Sequence, residues 1–156
     1  MSRIEIIARA LIVGGVLVAV ATVAIIVGRN IFGGPKPPPT EASLGPLLEH
    51  ATIVYDHERD DLGSEEHSAR SVVLKVPEAA TEDLARTGLL RLLRQTGWRV
   101  SSGGGAVPPE GEVCLVVNTP SSWLDDAANA SLREHFDEKV NEAGIAAVIV
   151  DLFYCR

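Results

Sequence analysis

Basic residues are scarce and scattered in this 156-residue chain, with 14 Lys and Arg against 21 Asp and Glu and a formal net charge of −7. Met1 to Thr40 holds Arg3, Arg9, Arg29 and Lys36 against Glu5 alone, so this part carries +3 and the remainder −10. No Lys/Arg cluster interrupts the acidic part, which argues against nucleic acid as a partner. There are two cysteines, and neither lies near the end of the N-terminal apolar run, so a lipid-modified cysteine is excluded there. Gly103-Gly104-Gly105 is followed by prolines and an extended stretch. It therefore lacks the helix and the Lys or Ser/Thr that a phosphate cradle requires. No nucleophile, base and orienting group stand at a suggestive spacing, so neither enzyme chemistry nor a cofactor is expected.

The dominant positive feature is Ala10 to Gly28, nineteen uncharged residues, apolar apart from Thr22. At about 1.5 Å per residue in a helix, that length crosses a bilayer core. Arg3, Arg9 and the small residues Ala19-Val20-Ala21 resemble a cleavable signal, yet apolar residues continue through Ile25, Ile26 and Val27. A retained single-pass anchor in the lipid bilayer is the better reading. Arg3 and Arg9 on one flank balance Arg29 and Lys36 on the other, so the charge rule barely speaks about direction. The layout favours a cytoplasmic N-terminus (1–9), a transmembrane helix (10–28), a Gly/Pro-rich linker (29–46) and an extracytoplasmic domain (47–156). Within the span, Gly15 and Ala19 lie four apart, where another membrane helix could approach closely. Gly33-Gly34-Pro35-Lys36-Pro37-Pro38-Pro39 reads as a swivel followed by an extended polyproline spacer.

Ala51 to Asp56 suits an extra N-terminal edge strand. His57 to His67 then concentrates acidic residues and imidazoles. His57, Asp60, Asp61, Glu65, Glu66 and His67 form a weak candidate metal set, without the spacing of a known calcium or zinc motif; a solvated hairpin loop is the plainer account. Ser68 to Val76 alternates as a strand. Thr81 caps a helix that buries Ala85, Leu89, Leu92 and Leu93 and stops at Gly97. A short strand follows at Trp98 to Ser101, then a glycine-rich hairpin connection and a strand from Glu112 to Asn118. Ser122 and Asp125 begin a second helix, with Leu132, Phe136 and Val140 at four-residue spacing and Gly144 at its end. His135 reads as a boundary residue beside that stripe. Asn129-Ala130-Ser131 matches a glycosylation sequon, but inside a helix, and is taken as chance. Ile145 to Tyr154, the most apolar strand, closes the chain.

The resulting α+β order, strand-helix-strand-strand-helix-strand, resembles ferredoxin-like domains at the level of topology. It implies a two-layer βαββαβ domain with both helices on one face of an antiparallel sheet. Parity then puts Cys114 and Cys155 on the opposite, open face as a disulfide candidate. The ferredoxin-like order also puts the first strand between theirs, separating them by about 9 to 10 Å, more than a disulfide spans. Either the tail crosses over, the strand order differs, or the pair is unbonded. The same open face would show Val73, Val116, Ile149 and Phe153 as an apolar interface for a membrane-protein partner or a second copy. The expected role is an anchored interaction module or accessory subunit of a membrane complex; the alternative is an extracytoplasmic domain that binds or senses a metal or small ligand.

Overall fold

Every residue of the strand Ala147–Tyr154 is apolar or aromatic except Asp151, and such a run is stable only where both of its faces are covered. The computed structural model, which describes residues 37–59 and 68–155, puts this strand in the middle of the sheet. The strands are β1 (Thr52–Arg59), β2 (Ala69–Lys75), β3 (Arg99–Val100), β4 (Gly105–Val107), β5 (Val113–Asn118) and β6 (Ala147–Tyr154). They lie in the order β1-β2-β6-β5-β4-β3, and each neighbouring pair is antiparallel. The helices are α1 (Glu82–Gln95), α2 (Pro120–Asp125) and α3 (Arg133–Ala143), with 3-10 turns at Glu41–Glu49 and Ala127–Asn129.

This corrects the expected topology. A ferredoxin-like order would set β2 between β5 and β6, whereas β6 pairs directly with both. The most apolar strand has displaced the first from the central position. Return from β5 to an adjacent antiparallel strand requires no handed crossover, so the intervening helices are free to lie on the other face. The two-layer expectation fails with it, since the sheet is covered on both sides. On one face Val72, Leu74, Leu115, Val117, Val148, Val150 and Leu152 pack with α1 and with Leu44 and Leu47. On the other, Val73, Ala147 and Ile149 pack with Trp123, Phe136 and Ala143 from α2 and α3.

The local signals explain the elements. Thr81 Oγ1 accepts from the Leu84 amide at 3.2 Å, and Glu82 and Asp83 occupy the first turn of α1. The expected second helix is split. Thr119 caps α2, with Pro120 opening it, and Asp126 in extended conformation ends it while its side chain accepts from the Ala128 amide at 2.9 Å. The short strand β4 arises where only a connection is expected from sequence. Gly104, at φ +94°, allows the turn that brings Ser101 N onto Gly105 O at 2.8 Å.

Packing starts upstream of Leu47, within a compact unit that begins at Pro37. Tyr154 Oη donates to Pro37 O at 2.9 Å, and Arg70 Nη1 donates to Pro39 O at 2.8 Å while its Nε donates to Asp56 at 2.5 Å. The last prolines of the spacer are thus bonded to the sheet they precede. Gly15, Ala19 and the rest of the apolar run lie outside the described residues, as do Asp60, Asp61, Glu65, Glu66 and His67. Among the described residues no helix is long and apolar enough to cross a membrane.

Candidate functional site

Cys114 and Cys155 are joined by a disulfide with Cα atoms 5.2 Å apart. The strand order makes the bond possible: with β6 beside β5, Cys114 sits opposite Phe153, and Cys155 continues the same edge while its amide donates to Glu112 O at 2.7 Å. The bridge ties the C-terminal end of the central strand to its neighbour.

The same sheet face carries a buried polar cluster. Asp151 projects from β6 towards α2 and accepts hydrogen bonds from Ser71 Oγ at 2.5 Å, Asn118 Nδ2 at 3.1 Å and Trp123 Nε1 at 3.1 and 3.0 Å. Burial raises the pKa of its carboxyl. The bonds from Ser71, Trp123 and Asn118 and the nearby Arg59 charge oppose that rise. Arg59, only 1% exposed, lies over the Trp123 ring at 5.4 Å and donates to Asn129 Oδ1 at 2.6 Å. Asn129 Nδ2 in turn donates to Trp123 O at 2.9 Å. These bonds converge on the buried Asp151, Arg59 and Asn129. The cluster locks β1, β2, β5 and β6 to α2 and to the turn after it. Asn129 is consequently no glycosylation acceptor, because its amide is buried and spent on internal bonds.

At the rim of this core, three polar side chains meet at the surface. Tyr55 Oη lies 3.2 Å from His57 Nδ1 and 2.8 Å from His135 Nε2. The Tyr55 ring packs edge-on against His135 and Phe136, with centroids 4.9 and 5.3 Å apart. Desolvation holds the Tyr55 hydroxyl above its ordinary pKa.

On the opposite face a groove of about 680 Å³ runs between the end of the first 3-10 turn and α1. Leu48, Val76, Ala79, Leu84 and Leu92 give it an apolar lining, and Glu49, His50 and Arg91 are charged or titratable groups along it. Leu84 is 58% exposed, although it sits beside the α1 cap where a polar residue would be equally helical.

No family model matches the chain, and neither a curated protein nor a solved structure matches it significantly.

The residues singled out from sequence are dispersed by the fold. Val73 and Ile149 are fully buried beneath α2 and α3, Val116 is half-buried, and Phe153 keeps 36% exposure beside the disulfide. The face expected to lie open is therefore largely filled. His57 alone of the candidate metal set is described, and it meets Tyr55 and Phe136. Sequence reasoning passed over Arg59, Ser71, Trp123 and Asp151, and it noted Asn129 only as a chance sequon. One signal was present: an acid in the middle of an otherwise apolar strand needs buried donors.

Proposed function

We propose that the chain is a single-pass membrane protein whose C-terminal α+β domain lies outside the cytoplasm and serves as an interaction module or accessory subunit of a membrane complex. The Cys114–Cys155 disulfide carries this reading. Such bonds persist in oxidising compartments and are rare where thiol reductants dominate. It supports a direction that the balanced flanking charges leave open. The apolar run Ala10 to Gly28 supplies the anchor, and the end of the proline-rich stretch that follows it is bonded to the sheet through Pro37 and Pro39. The polar cluster around Asp151 serves cohesion, which leaves the surface to do the work. The groove beside Leu48 and Leu84 is the place where apolar side chains of a membrane partner fit.

Maleimide labelling in intact cells tests the compartment. Cys114 and Cys155 are expected to stay unlabelled until reductant is added, and externally added protease should reach the domain in cells stripped of any layer outside the membrane that holds the anchor. Two freely reacting thiols, together with a protected domain, would place it in the cytoplasm. A photo-crosslinker at Leu84 in native membranes tests the module, with one discrete adduct expected; none at either Leu84 or Leu48 would remove the groove from the interface.

A further inference from the structure

We propose that Tyr55 Oη, His57 Nδ1 and His135 Nε2 form a binding site for one divalent first-row transition ion, of which Cu²⁺ and Zn²⁺ are the best matched. This inference stands apart from the anchored-module reading, since it depends only on three side chains of the folded domain.

The donors come from rigid elements. Tyr55 and His57 lie two apart on β1 and so share a face, just past the register shift between Ile53 and Tyr55. His135 stands in the first turn of α3, which the fully buried Phe136 pins beneath the sheet face by packing on Trp123 at 4.4 Å and on Tyr55 at 5.3 Å. Both imidazole nitrogens are held near one oxygen, at 3.2 and 2.8 Å. Donors about 2.1 Å from a tetrahedral ion lie about 3.4 Å apart, and the two contacts to Tyr55 Oη, at 3.2 and 2.8 Å, stand close to that separation.

The donor chemistry selects the cation. Two imidazoles suit copper and zinc over calcium or magnesium, and copper heads the order of affinity for nitrogen and oxygen sites. In the metal-free protein Tyr55 Oη bonds both imidazoles when one facing nitrogen is bare and the other protonated, donating its hydroxyl proton to the first and accepting an N–H from the second. An ion replaces both bonds, and the imidazole that donated moves its proton to its other ring nitrogen through solvent, which frees its lone pair for the ion. The phenol proton leaves to solvent, and the phenolate completes a three-donor set with an open fourth position for water. Asp56 and Lys139 are the charged groups that act on Tyr55. Lys139, one turn beyond His135, opposes a cation but is engaged with Glu142 at 2.9 Å, and the −10 charge of the region after Thr40 raises the local cation concentration.

Isothermal titration of the full chain in detergent, purified without a polyhistidine tag, with ZnCl₂ and CuCl₂ is expected to give one ion per chain. Each of H57A and H135A should weaken binding at least about tenfold. Y55F, which keeps the ring against Phe136, should abolish the visible phenolate-to-Cu²⁺ absorption while the domain melts as before. A D60N/D61N/H67A variant should bind like the wild type. Absence of binding, unchanged affinity in the H57A/H135A double variant, or loss of binding in the D60N/D61N/H67A variant would overturn the site.

Discussion

Arg59 Nη1 donates to Asn129 Oδ1 across 2.6 Å, although seventy positions separate the two residues. The bond holds a buried guanidinium at the end of an edge strand against the turn that links α2 to α3. Replacing Asn129 with Ala withdraws that acceptor and also the donor to Trp123 O. A loss of about 1–3 kcal/mol is expected in urea denaturation, because two buried hydrogen bonds are removed at once.

Asp151 makes stability depend on pH in an unusual direction. Burial raises its folded pKa above the 3.8 of the free side chain. Below 3.8 both folded and unfolded states are protonated and the carboxyl's contribution is fully present. As pH rises through the raised folded value, the folded state must carry an ion that burial disfavours, and that contribution is lost. In D151N the new amide turns an NH₂ towards donors from Asn118 or Trp123, so the variant is less stable at neutral pH. Melting temperatures measured from pH 7 down towards pH 4 should show the wild type gaining on D151N. A difference that stays flat would mean that the carboxyl titrates normally.

The disulfide closes a sequence separation of 41 residues. In the chain-entropy treatment that constraint contributes about 4 kcal/mol. The C114S/C155S double variant should therefore unfold at markedly lower urea concentration, and reductant should lower the midpoint of the wild type but not of the variant. Equal midpoints with and without reductant would show that the bond is dispensable.

Gly104 and Gly103 are adjacent but unequal. A Cβ on Gly104 would sit 2.6 Å from Val117 O and 2.5 Å from the Arg86 guanidinium, on a backbone at φ +94°. Gly103 meets nothing within 4 Å. G104A should cost about 1–3 kcal/mol and G103A under about 0.5, read from thermal melts of the two variants side by side. Similar melting points would contradict the close approach of the β3–β4 turn to β5.

Several elements were legible locally. The Thr81 cap, the acidic first turn and the stripe of Ala85, Leu89 and Leu93 specify α1 within the chain's own neighbourhood, and alternation marks β2, β5 and β6. The edge strand was legible too, though it runs on to Arg59, into residues that read as a polar loop. Tyr55, His57 and His135 illustrate the limit. Two of them read as a strand residue and a loop ligand, the third as a helix boundary, and nothing in their spacing predicts that three polar tips meet.

By itself the sequence determined most of the elements, the acidic balance and the candidate membrane span, because helix and strand periodicity, capping and hydropathy depend on residues close together along the chain. Tertiary structure decided the strand order, the covering of both sheet faces and the partners of Asp151 and Cys114. Those depend on which apolar strand gains most by burial on two sides, a competition among strands far apart in sequence. Once β6 won the centre, the cysteines became neighbours, the expected open face filled with Trp123 and Phe136, and His135 came within reach of Tyr55.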